Sequence, residues 1–170
     1  STLVTMTCYP WTFEDKVALI GDACHAIVPF YGQGMNAGFE DITVLDEMIS
    51  KYGDDWKTIF TEYQKSRKPN ADAIAELSYR NFMEMSSKTA DDKFLLQKKI
   101  EKLFSDKYPD KWTPLYSRVT FSDRPYTEAL AIDDYQNEIM QEVLNLENIA
   151  SIWDSEIVEN KILELLNKKQ

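Results

Sequence analysis

The sequence predicts an α/β chain in which a short β segment leads into a mainly α-helical body. Three observations carry this. Val17-Ala18-Leu19-Ile20, after Lys16 and closed by Gly21-Asp22, is a continuous apolar run, as a strand buried on both faces reads. Beyond Asn36, apolar residues recur at helical spacing in one segment after another. The last stretch, 127–170, holds neither Gly nor Pro. A strand buried on both faces belongs inside a parallel sheet, and one strand makes no sheet. The chain is therefore expected to supply an edge of something larger, with partner strands elsewhere.

Leu3 to Tyr9 is rich in β-branched residues, with Leu3, Thr5, Thr7 and Tyr9 on one face, and predicts a strand ended by Pro10. Trp11 to Asp15 reads as a turn before the apolar strand. Ala23 to Val28 reads as a short helix stopped by Pro29. A longer helix is expected from near Asn36 to before Gly53, where Phe39, Ile42, Leu45, Met48 and Ile49 recur at helical spacing. Asp54 or Asp55 can cap the next helix, which carries Trp56, Ile59, Phe60 and Tyr63 on one side. Arg67-Lys68 is expected to end it, because Pro69 opens another helix running to about Ser86, with Ile74, Leu77, Ser78, Asn81 and Met85 on one stripe. Trp56, Trp112, Met83 and Met85 read as core. Asp91 or Asp92 caps a helix with Phe94, Leu95, Ile100, Leu103 and Phe104 inward. A Pro-punctuated aromatic segment, Tyr108 to Pro125, follows. Two amphipathic helices close the chain, one with Leu130, Met140, Val143, Leu144 and Leu146, one with Ile157, Val158, Ile162, Leu165 and Leu166.

Length and charge bound the function. The 170 residues allow one domain or one and a fraction. Nineteen basic against 29 acidic residues give a net charge of -10, which disfavours nucleic acid and anionic membranes as partners. Most of the excess sits in 127–170, where ten acids face three Lys. Its helices are expected to pack one apolar face and solvate the other, with partner binding as the alternative. No apolar run reaches the roughly 18 residues a membrane span needs, and Ser1-Thr2-Leu3-Val4-Thr5 is no signal peptide. Cys8 and Cys24 make no disulfide framework, and a single His25 cannot complete a His-rich metal site, so no metal is expected.

The chemistry concentrates in one stretch. Gly32-Gln33-Gly34-Met35-Asn36-Ala37 fits G-x-G-x-x-[GA], but Pro29-Phe30-Tyr31 precedes it instead of a strand, so the dinucleotide fingerprint fails. The physics survives. Glycines let a backbone approach a ligand, and the helix start that follows suits an electron-rich ligand edge. Asp22, at the carboxyl end of the apolar strand, can accept hydrogen bonds from sugar-type hydroxyls or cap the helix after it.

Leu19-Ile20-Gly21-Asp22-Ala23-Cys24-His25-Ala26 resembles the second FAD-binding motif of the flavoprotein aromatic hydroxylases. The run Ile27 to Asp41 is narrower and is similar to the members that hydroxylate L-kynurenine, as are Arg80 to Met85 and Lys111 to Tyr116. The resemblance spans about residues 3 to 121 and is densest from 17 to 41. It implies an α/β FAD/NAD(P)-binding fold of the p-hydroxybenzoate-hydroxylase type, of which this chain would be the C-terminal portion. Residues 1–52 would close the FAD-binding domain, 53–126 would form a helical substrate-side region, and 127–170 an acidic helical tail. The activity implied is hydroxylation of L-kynurenine to 3-hydroxykynurenine with FAD, NADPH and O2. Another aromatic substrate, or a non-catalytic helical interaction protein, are the alternatives.

The resemblance also implies roles. Asp22 would bond the ribityl chain of FAD, and Gly34, Met35 and Asn36 would present the helix start to the flavin ring. Pro29, Phe30 and Gln33 would form the loop between flavin and substrate. Asn81 and Tyr116 would bond the amino-acid end of L-kynurenine. No side chain is assigned as catalytic, and His25 is expected to be structural. Cys24 stands where the family usually has Ala. No strand–G-x-G-x-x-G–helix is present for the FAD pyrophosphate, so an N-terminal half is expected as partner, and homo-oligomers are possible. The polar end Leu166-Asn167-Lys168-Lys169-Gln170 carries no anchor, which fits a soluble, cytoplasmic, bacterial-type member.

Overall fold

The computed structural model describes residues 2–88 and 91–168. Expectations for Ser1 and for the Lys169-Gln170 end lie outside the described residues. The chain divides into two compact units, the first 1–82 with 125–127, the second 83–124 with 128–170. These divisions do not coincide with the expected ones at 52 and 126.

In the first unit the β content is smaller than expected. Thr12–Phe13 (β1) pairs antiparallel with Val17–Ala18 (β2), Thr12 opposite Ala18 and Phe13 opposite Val17. The expected turn from Trp11 to Asp15 is thus half strand. The apolar run is an antiparallel hairpin arm with Val17 49% exposed, and not a strand buried on both faces. Thr2 to Pro10 forms no strand, and Leu3 and Tyr9 are exposed. A strand needs a ladder partner to satisfy its backbone, and among the described residues none lies beside it. Met6 N–H donates to the Ala26 carbonyl at 2.7 Å and Cys8 Sγ to the Cys24 carbonyl at 3.5 Å, while the Cys8 carbonyl accepts from Trp11 Nε1 at 2.9 Å.

Asp22–His25 (α1) is a single turn. Gly34–Tyr52 (α2) starts two residues before Asn36 and ends at Gly53. Trp56–Met83 (α3) is one helix. Pro69 does not open a second: it sits exposed inside α3, where its ring meets water and not a packed neighbour. Asp55, not Asp54, caps α3 through its carboxylate, which accepts from Thr58 N–H and Oγ1. The core gathers Trp11, Cys24, Tyr63 and Ala71, with Ile59, Ile74 and Leu77 also buried along α3. Arg67 is buried mid-helix, not a helix end. Trp56, Met83 and Met85 are more than a third exposed, against expectation; Phe39 and Ile42 of α2 are also exposed.

In the second unit a wider π-helical turn, Glu84–Lys88, precedes Asp92–Lys107 (α4), which Asp91 caps by accepting from the Lys93 and Phe94 amides. Leu115–Phe121 (α5), Tyr126–Leu144 (α6), Ile149–Ile152 (α7) and Glu156–Asn167 (α8) follow. Ile100 and Phe104 of α4 pack with Trp112, with Ile139, Met140, Val143 and Leu144 of α6, and with Val158, Ile162 and Leu165 of α8. Leu95 and Leu103 point outward instead. The apolar faces of the acidic helices are thus spent on a core, as the packing reading expects. Glu159 accepts from both Lys107 and Tyr108, closing α8 onto the end of α4.

Candidate functional site

An open groove of about 580 Å³ in the first unit brings the sequence motifs together. Gly21-Asp22 forms one wall, Ile27, Pro29 and Gly32 another. Gly34, Met35, Gly38, Phe39 and Ile42 of α2 form the third. Its size lies in the range of small-molecule sites.

The Gly21-Asp22 turn is locked from behind. Gly21 has φ +61°, which a side chain would strain. Its N–H donates to Asp41 Oδ2 at 3.0 Å. The same oxygen is 2.5 Å from His25 Nε2, and Asp41 Oδ1 accepts from Arg67 Nε at 2.8 Å. Arg67 also reaches the Ala37 carbonyl at 3.3 Å and Glu40 at 2.8 Å. Asp41, His25 and Arg67 are all buried. Burial raises the Asp41 pKa, but the bonds from His25, Arg67 and Gly21 outweigh it and hold the carboxyl below its usual range. Trp11 lies against His25, ring centroids 5.3 Å apart. His25 is therefore a structural residue of this lock, as expected, while the parts of Asp41 and Arg67 were missed. They stand 26 residues apart with no local signal to join them. The place of Asp41 at the end of the run Ile27 to Asp41 is the hint that the sequence offers.

Cys24, His25 and Asp41 lie close enough to share an ion, but their donors serve one another's backbone and side chains. Cys24 Sγ donates to the Gly21 carbonyl at 3.3 Å, and burial pushes its thiol up to about 12, which opposes metal ligation by thiolate.

Asp22, in contrast, is exposed at the groove and makes no side-chain hydrogen bond or ion pair among the described residues. It does not cap α1, whose capping position is Gly21. Across the groove, α2 begins without a side-chain cap, so its first amides keep their donor capacity. Gly34 and Met35 line the groove. Asn36 does not, and its side chain donates to Gln33 Oε1 at 2.9 Å. Pro29 stands at the rim. Phe30 stacks on Phe82 at 4.9 Å, and its carbonyl accepts from Asn81 Nδ2 at 2.9 Å. Gln33 is buried, not an open substrate arm. Tyr116 belongs to the second unit, where it is 55% exposed on α5.

These parts fit a flavin. Glycine backbone lines the groove without side chains to fill it, a free carboxylate suits ribityl hydroxyls, and an uncapped helix start suits the electron-rich pyrimidine edge. Among the described residues no helix is long and apolar enough to cross a membrane.

Comparison with known proteins agrees. The family model described as FAD binding domain matches residues 2–78. The protein named kynurenine 3-monooxygenase of Flavobacterium johnsoniae is 83% identical over 99% of this chain and 38% of its own length. That of Flavobacterium psychrophilum is 73% identical over 99% and 38%. That of Anopheles gambiae is 42% identical over 88% and 31%. The chain thus spans about 38% of the length of the bacterial relatives. Residues 2–78 thus match an FAD binding domain, and nearly the whole chain is similar to part of the proteins named kynurenine 3-monooxygenase.

Proposed function

We propose that this chain serves an FAD-dependent monooxygenase that converts L-kynurenine, NADPH, a proton and O2 into 3-hydroxykynurenine, NADP+ and water. The observation that carries the reading is the shared groove of Gly21-Asp22 and the uncapped α2 start. FAD, when bound, supplies the electron transfer and oxygen activation. The chain's own residues do the holding. Asp22 accepts from ribityl hydroxyls. The Gly34 and Met35 amides, at the α2 start that lines the groove, would meet the electron-rich ring edge, where a helix start favours negative charge. Pro29, Phe30 and Gln33 form a wall between flavin and substrate and exclude water. Asn81, next to Phe30, would bond the amino-acid end of L-kynurenine. The FAD pyrophosphate is held by a glycine-rich segment outside these 170 residues, since no strand–G-x-G-x-x-G–helix occurs among them.

The test is a substrate panel on the full-length flavoprotein that carries this chain. NADPH oxidation stimulated by L-kynurenine, with 3-hydroxykynurenine formed, is expected. Stimulation by a phenol and none by L-kynurenine would overturn the substrate and leave another aromatic hydroxylase.

A further inference from the structure

We infer that Tyr126 is a positioning residue: it locks Gln33, and through Gln33 the loop Pro29–Gln33 that lies beside the flavin groove. The inference rests on the function proposed above.

Gln33 is 5% exposed, so its amide must find partners inside the protein. Its Oε1 has two lone pairs. One accepts from Asn36 Nδ2 at 2.9 Å, the other from the Tyr126 hydroxyl at 3.1 Å. Its Nε2 donates to the Tyr31 carbonyl at 3.3 Å. The oxygen is therefore saturated, and only Tyr126 comes from outside the local turn, 93 residues along the chain. Tyr126 is itself held. Thr127 donates from N–H and from Oγ1 to Asn70 Oδ1 at 3.3 and 3.4 Å, fastening the start of α6 to α3. Pro125, just before it, restricts the backbone that delivers the ring. Burial raises the phenol's pKa, with Glu40 adding to it, so the hydroxyl keeps its proton and stays a donor.

The other end of the loop is fixed separately. Asn81 bonds the Phe30 carbonyl, and Phe82 stacks on the Phe30 ring. Between the two anchors Gly32 turns with φ +68° and has open space around it. A loop turning on a glycine is set by its anchors, and Tyr126 is the anchor at the end that runs into α2. Losing it would leave one Gln33 lone pair buried and unmatched and the loop free to shift against the substrate.

The experiment uses Tyr126→Phe in the full-length flavoprotein. The KM for L-kynurenine should rise about five- to tenfold, the loss of one hydrogen bond. The kcat and the FAD dissociation constant should stay within about twofold, since neither Asp22 nor the amides at the α2 start are touched. More of the NADPH consumed should appear as H2O2, formed from NADPH, a proton and O2 without hydroxylation. Hydrogen exchange in residues 29–34 should quicken, and this arm needs no substrate. Unchanged KM with unchanged exchange would overturn the inference. So would FAD affinity falling in step with KM, which marks a general loss of fold. A wild type indifferent to L-kynurenine, with exchange still quickened by Tyr126→Phe, would sink the proposed substrate and leave the anchor standing.

Discussion

Asp41 serves three donors with two oxygens, and everything about the Gly21-Asp22 turn depends on it. A buried carboxylate is costly unless paired, and here Arg67 pairs it while the Gly21 amide and His25 complete its shell. Removing one partner leaves the other buried and uncompensated. Asp41→Ala is therefore expected to cost about 3–5 kcal/mol in urea unfolding. Asp41→Asn keeps the shape but turns an amide against donors, and should cost less. The pH dependence follows from the lowered pKa. The unfolded carboxyl titrates near ~3.9 and the folded one below that. Between those values the unfolded chain binds more protons, so stability rises with pH there. The contribution is whole above the unfolded value and is lost as pH falls through the folded one. Urea midpoints measured from pH 7 to pH 3 should fall for the wild type and fall less for Asp41→Asn. Equal slopes for the two would remove Asp41 as the source.

At the scale of the element, α3 carries an internal tension. Pro69 lacks the N–H that the Lys65 carbonyl would accept in a regular helix, yet the helix runs through it from Trp56 to Met83. Buried Ile59, Tyr63, Ile74 and Leu77 hold the same face on both sides of the proline, and their packing outweighs the lost bond. Pro69 itself is exposed, so removing it disturbs no core. Pro69→Ala should stabilise the chain by about 1–3 kcal/mol, less than the full helix-interior penalty because the site has already relaxed around the ring. Thermal and urea unfolding would show it, and a neutral or destabilising result would mean the proline's stiffening of the unfolded chain prevails. The same contest explains what the sequence showed and what it hid. Local signals were legible: the glycine turn before α2, the Asp91 cap of α4, the apolar stripes of α6 and α8. Each is decided by neighbours three or four residues away. The break at Pro69 was misread because tertiary packing overrode propensity. The strand from Leu3 to Tyr9 was misread because alternation marks a face without saying what pairs with it. Arg67 was misread because dipole logic at a helix end cannot see a buried Asp41 on another helix.

At the scale of the whole molecule, the question is how much of a flavin dinucleotide this chain can grip. The groove offers contacts to a ring and a ribityl chain: a free carboxylate at Asp22, helix amides at the start of α2, and glycine backbone. Nothing in the sequence matches the strand and glycine-rich turn that hold a pyrophosphate. Met35, Phe39 and Ile42, on one face of α2, are 70%, 60% and 55% exposed beside the groove, so its apolar wall lacks a cover. A ligand touching only one side of a site keeps a small part of its binding free energy. The 170-residue chain should therefore bind FAD with a dissociation constant on the order of 0.1–1 mM, about -4 to -5.5 kcal/mol, and purify colourless. Riboflavin, which has the ring and ribityl chain but no pyrophosphate or adenosine, should bind within about threefold of FAD, because the extra half of FAD meets no site. Asp22→Ala should weaken both ligands alike, by about tenfold or more, through the lost bonds to ribityl hydroxyls. Equilibrium dialysis of the two flavins against wild type and variant measures all of this at once. A yellow protein that keeps FAD through gel filtration, or FAD bound a hundredfold more tightly than riboflavin, would show that the chain holds the dinucleotide by surfaces other than this groove.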